Sequence, residues 1–215
     1  MITTPQLIDV LAADAKPVRR LQPPLARAAL WLGAFVAIVA AVTWATGTWP
    51  PMMERLRVTR FAVEMTATLL TGIAAVIAAF ILSLPDRNRF WMVLPLPPLV
   101  LWLASSGYGC YENWLTDGPQ GWRLGRSSGC FVFILTMSIP VGVALYLALR
   151  RALPLEPLRV MAVGGLGVAG LAAATLQFYH PFDVTIVDLA VHVTAVLIVV
   201  TAIMLSGRWD LSRSR

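Results

Sequence analysis

Charge is scarce in this chain. Of 215 residues only 13% are Asp, Glu, Lys or Arg, while 58% are hydrophobic, and the mean hydropathy is +0.75. A water-soluble domain of this length carries about 25% charged residues, so the deficit excludes an ordinary soluble fold and points to an integral membrane protein. Polar chain is short as well: the longest such pieces are residues 1–24 and 109–129, which leaves no room for a soluble catalytic domain. Cysteine occurs twice, at 110 and 130, and histidine twice, at 180 and 192. There is no C-x-x-C pair, and the 20-residue cysteine separation fits no zinc-ribbon spacing. A secretory signal is also missing. The first 24 residues are polar, with no apolar core before a small-residue cleavage site, so the run from Leu25 is expected to be a retained helix.

What the chain does have is a series of apolar runs long enough to cross about 30 Å of hydrocarbon. Six are read, at 25–47, 61–84, 90–108, 130–149, 160–178 and 184–206. The third is the weakest, interrupted by Pro95, Pro97 and Pro98. With the N-terminus inside, twelve Lys and Arg residues fall on inner segments. The outer loops hold five, Arg55, Arg57, Arg60, Arg123 and Arg126. That asymmetry satisfies the positive-inside rule. The expected fold is all-α: a polytopic inner-membrane protein with a six-transmembrane-helix bundle and both termini cytoplasmic. It divides into a cytoplasmic segment (1–24), a membrane domain (25–208) and a tail (209–215). The lipid bilayer is its first partner. The net charge of +6 follows from this topology, and the basic residues form no continuous stripe, so direct binding to nucleic acid is not expected.

The N-terminal segment opens with a helix-start signal, Thr4 as N-cap and Pro5 at the first helical position. Leu7 and Leu11, four apart, share a face with Asp9 roughly opposite, and Asp14 returns to the apolar side. Pro17 biases Lys16 away from helix and limits the element to about three turns. Such a piece cannot bury a core alone. It is either a solvated leader or a docking peptide. GGLGVAG at 164–170 contains G-x-G-x-x-G, but no strand precedes it and no acidic residue follows at the distance a dinucleotide site needs. Gly165, Ala169 and Ala173 instead give small-xxx-small spacing for close helix packing. Pro140 is expected to kink the fourth span.

On the six-span arrangement the reactive residues gather toward one side. Cys110 follows the outer end of span three, and Cys130 opens span four. His180 and Asp183 fall in the outer turn before span six, and Glu64 begins span two. Asp188 and His192, at i and i+4, share one face of span six, with Thr185 extending that stripe. Each ionisable group costs several kcal/mol in hydrocarbon unless it is partnered. An inward-turned Asp–His pair satisfies itself by hydrogen bonding, either as a packing clamp or as an oriented ligand. The two cysteines are compatible with a structural disulfide, a redox switch or a soft-metal site. In the last case His180 is the candidate third ligand.

LIDVLAADAKPVRRLQPP, SSGYGCYENWLTDGPQGWRLGRSSGCF, SIPVGVALYLALRRALPLEPLRV and FYHPFDVTIVDLAVHV, in this order, resemble the NrsF-type anti-sigma factors over nearly the whole chain. The resemblance implies a six-span bacterial inner-membrane protein, not an enzyme, that holds an extracytoplasmic-function sigma factor of the SigF type inactive. It implies a cytoplasmic leader that binds the sigma factor, with Leu7, Leu11, Pro17, Val18, Arg19 and Arg20 as the contact candidates. It further implies periplasm-facing sensing thiols, here Cys110 and Cys130, that respond to heavy metals or oxidative stress. No resident cofactor is implied, only a transient heavy-metal ion as signal. Two rival readings use the same residues. A membrane thiol-redox protein would use the cysteines but normally needs C-x-x-C. A small metal-ion transporter would use midplane acids and broken helices, for which Asp188 and the proline-rich third span are the candidates.

Overall fold

The computed structural model describes residues 3–13, 21–118, 124–179 and 186–213, apart from the side chains at 117, 124–127 and 208–213. Within these residues the chain is helical and contains no strand. Eight α-helices follow in order: α1 (Thr4–Ala13), α2 (Pro24–Ala45), α3 (Trp49–Arg55), α4 (Thr59–Leu82), α5 (Leu96–Asp117), α6 (Leu124–Arg150), α7 (Pro157–Leu176) and α8 (Ile186–Arg213). A 3-10 helix, Arg89–Val93, leads into α5. Six helices are long and apolar enough to cross a membrane: α2, α4, the 3-10 turn with α5, α6, α7 and α8. The protein is a membrane protein built on the six runs expected from hydropathy.

Proline explains where the helices begin. Pro24 and Pro157 occupy first-turn positions of α2 and α7, and Pro95 is the residue before α5, with Pro97 and Pro98 in its first turn. A helix has no partner for its first N–H groups, so a residue lacking one is tolerated there. The prolines that weaken the third run in the sequence therefore start its helix instead of breaking it. Pro140 is the exception, lying inside α6.

The third span is longer than hydropathy indicates. Helix α5 continues to Asp117, and α6 resumes at Leu124, so most of the expected loop 109–129 is helix. Gly118, at φ +60°, ends α5 in a backbone conformation open to glycine. Cys110 accordingly lies inside a helix and not in a loop after it. A second correction concerns α3, an unforeseen short helix between the first two spans. Its Trp-Pro-Pro opening again places proline in a first turn.

Helix α7 is the axis of the bundle. Sixteen of its 20 residues are buried, against two in α2, and its main neighbours are α4 and α8. Small residues make this approach possible. A Cβ added at Gly170 would sit 3.0 Å from the backbone nitrogen of Gly72 in α4, and one at Gly165 would sit 2.8 Å from Cα of Val200 in α8. Neither neighbour can yield, because each is main chain. The small-xxx-small face of Gly165, Ala169 and Ala173 is buried as expected, with Ala169 at 0% and Ala173 at 3% exposure. The G-x-G-x-x-G run is packing: Gly167 and Gly170 face α4, and Gly165 faces α8. Around this axis Val76, Phe80, Leu145, Leu149, Met161 and Leu171 form the core.

Candidate functional site

One end of the bundle concentrates the polar and sulfur chemistry. There Glu64 is buried at 7% exposure in the second turn of α4. It accepts a hydrogen bond from the Ser106 hydroxyl of α5 at 2.8 Å, through Oε1. Its backbone carbonyl is also bonded, by Thr68 Oγ1 at 2.7 Å. One turn before Glu64, Arg60 reaches across α5. Its Nη1 lies 3.0 Å from Glu112 Oε2, and the guanidinium passes over Gly109, next to Cys110. The two acids thus have different partners, a buried hydroxyl for Glu64 and a half-exposed guanidinium for Glu112.

Both cysteines are buried and unlinked, with Cys110 at 6% and Cys130 at 3% exposure. Cys130 packs with Ile134, Ala172, Leu176 and Ala195, among α6, α7 and α8. Glu64, Asp188 and Arg60 lie close enough to act electrostatically on Cys110, and Asp188 acts on Cys130 as well. Asp188, 5% exposed, is therefore an acidic neighbour common to both thiols.

Asp188 and His192 share a face of α8 as their spacing predicts, but the bond between them is not the expected one. His192 Nδ1 lies 2.6 Å from the main-chain carbonyl oxygen of Asp188. A carbonyl only accepts, so Nδ1 carries a proton and donates it. The helix backbone, not the carboxylate, holds the imidazole on that side. The reason is geometric: an i+4 side chain leans back over the preceding turn, onto the i carbonyl.

Helix α3 closes this end. Met52 is buried beneath it, and Arg55 stacks 4.1 Å above the Phe61 ring. Its Nη1 also donates to the Gln177 carbonyl at 2.8 Å. Trp49 meets Phe178 edge-on at 5.5 Å. The turn after α7 is thereby tied down just before His180. His180, Asp183 and Thr185 lie outside the described residues, and so does any metal set that includes His180. Among the described residues no three His, Cys, Asp or Glu side chains come together to hold a metal ion.

The leader supplies a second feature. Helix α1 is exposed at every described position, including Leu7 at 48% and Leu11 at 63%. Its cap lies one residue earlier than expected. The Leu7 N–H donates to the Thr3 carbonyl, and the Thr3 N–H donates to Gln6 Oε1 at 3.0 Å, so Thr3 and not Thr4 precedes the first turn. This is the side-chain half of a capping box, with Gln6 at the third helical position. Pro17, Val18, Arg19 and Arg20 lie outside the described residues.

At the opposite end of the bundle from the thiols, Arg27 donates through Nη2 to the Ala148 carbonyl at 2.6 Å and lies over the Phe80 ring. Arg89 and Arg159 both pair with Glu156. Between them Leu153 and Leu155 stand 83% and 77% exposed, and Leu153 adopts a left-handed φ of +48°. That conformation costs a non-glycine residue about 1–3 kcal/mol. Sequence reading passed over these leucines because they look like the edge of an apolar run. It passed over Ser106 because a serine beside a glycine carries no signal until its helix partner is known.

A family model described as a negative regulator of sigma F, NrsF, matches residues 11–212. No curated protein and no solved structure matches the chain.

Proposed function

Because the chain belongs to the NrsF family of negative regulators of sigma F, with a sigma factor as partner, we propose a specific form of that role. The protein is a membrane-bound anti-sigma factor that holds an extracytoplasmic-function sigma factor at the inner membrane. It releases its partner when the buried thiols Cys110 and Cys130 meet a heavy metal or an oxidant. With six crossings α1 and the C-terminal end of α8 share one side, and the excess of basic residues there supports a cytoplasmic side. The observation that carries the reading is α1 itself: a capped helix with Leu7, Ile8, Val10 and Leu11 all exposed, tethered next to the first span. An apolar helical face left open in this way suits a partner's groove. Arg19 and Arg20, Pro17 and Val18 extend the contact, and Leu153 and Leu155 offer a second apolar point on the same side.

Changing Leu7 and Leu11 together to Asp should release the sigma factor and switch on its regulon while membrane insertion stays normal. Intact repression at equal protein level would remove the leader from the interaction.

At the other end, a soft ion or an oxidant acts on the thiols as signal, not as resident cofactor. Asp188, His192 and the neighbouring His180 and Asp183 belong to the same sensing end. A Cys110→Ser, Cys130→Ser protein should keep basal repression and lose its response, so that sigma release no longer follows metal or oxidant dose. An unchanged dose–response curve would transfer sensing to other residues. Alternation of packed helices, α7 against α4 and α8, is the route offered between the two ends.

A further inference from the structure

Between α5 and α8, backed by α7 and closed at one end by α4, lies a cavity of about 390 Å³. Ligand pockets run from about 300 to 1,000 Å³. The lining extends from Pro95 to Ser106 along α5 and from Leu189 to Val200 along α8. At 1.5 Å per residue that is a groove roughly 16 Å long, about half the hydrocarbon thickness. Its walls are apolar, chiefly Leu99, Trp102, Leu103, Leu189, Val193 and Val196. The exposed Leu103, Val193 and Leu197 form a mouth within the spans, so the groove is reached from the bilayer and not from water.

The polar side chains lining it, Glu64, Ser106, Gln177 and His192, all belong to the end that carries the thiols. The carboxylate of Glu64 is the acceptor among them. Ser106 spends its one proton on Glu64. His192 spends its Nδ1 proton on its own helix. A carboxylate offers about four lone-pair sites, and Glu64 is more than nine-tenths buried, where each donor counts most. A long apolar channel that ends at a buried carboxylate matches one kind of molecule.

We propose that this groove binds a membrane-dissolved amphiphile with an apolar tail and a hydrogen-bond-donating head, hydroxyl or ammonium, held by Glu64. The tail lies along Trp102, Leu103 and Val196, and the head sits beneath the cysteines. Anti-sigma action is not assumed, because binding is read on the purified chain alone.

The test uses the full chain in phosphatidylcholine nanodiscs, whose headgroups carry no donor, and four probes with one tail. Decylhydroquinone, kept anaerobic, supplies hydroxyl donors, and decylamine an ammonium donor. Decylquinone offers acceptors only, and decyltrimethylammonium has charge without a donor. At least one donor-headed probe should bind saturably, one per chain, about ten-fold or more tighter than either donor-free probe; whichever binds identifies the head. Glu64→Gln should weaken that probe about ten-fold and narrow the discrimination. Leu103→Trp, at a lipid-exposed position that fills the groove, should abolish saturable binding without loss of the thermal transition. Uptake that is linear and equal in wild type and Leu103→Trp overturns the proposal. Equally tight binding of decylquinone overturns the donor-head assignment.

Discussion

A thiol buried inside a membrane helix is reached differently from one displayed on a loop. Cys110 and Cys130 are covered by neighbouring helices, not by flexible chain, so a reagent reaches them only when helix packing loosens. Maleimide modification in intact nanodiscs should therefore be about ten-fold or more slower than in denaturing detergent, read as a mass-tag shift on a gel. Equal rates would mean that the thiol end stands open. The same scale corrects the histidine. Its Nδ1 is held by a main-chain carbonyl, so Asp188→Asn leaves that bond in place. Much of the candidate site was legible at this scale: the residue types, and the end of the bundle where they gather, follow from spacing and hydropathy. Their partners were not. A sequence shows that Glu64 is an acid near a helix start, but Ser106 lies 42 positions away and becomes its partner only when α4 meets α5.

Among the elements, α7 decides how the bundle holds together, because it is the helix most completely covered by others. Its contact with α4 is backbone against backbone at Gly170 and Gly72. Gly170→Val should force these helices apart. Overpacking of this kind costs about 1–3 kcal/mol, and a rigid neighbour puts the change at the upper end, a fall of roughly 5–10 °C in melting temperature. Gly33→Ala, in a helix where an added Cβ meets nothing within 4 Å, is the control and should leave the melt where it is. Matching melts for the two variants would show that α4 and α7 can separate freely. Span boundaries were legible to within a few residues, except at the C-terminal end of α5. There the helical turn Tyr111–Asp117 reads as loop because Glu112, Asn113, Thr116 and Asp117 break the apolar run.

For the molecule as a whole, the thiols and the buried acids lie at one end and the Arg27, Arg89, Glu156 and Arg159 contacts at the other. The acids fall in the first two turns of their helices, Glu64 in α4 and Asp188 in α8, and not at the midplane where a transporter's coupling acids lie. The charge asymmetry of twelve to five predicts that reporter fusions at residues 15, 87, 155 and 210 report cytoplasm and that fusions at 57 and 120 report the opposite face. A periplasmic signal at residue 15 would reverse every assignment of thiols and leader.

By itself the sequence determined the class, the number of spans and the family. All three rest on quantities that add along the chain: average hydropathy over a helix length, counts of basic residues between spans, and extended stretches of matching order. Only the tertiary structure decided which side chains share a space. The pairing of Glu64 with Ser106, the burial of both cysteines, and the groove that joins Glu64 to His192 depend on the rotation of each helix about its axis. In lipid that rotation is weakly specified by apolarity, since the solvent is as apolar as the side chains, and is set instead by where glycine and alanine let two backbones touch.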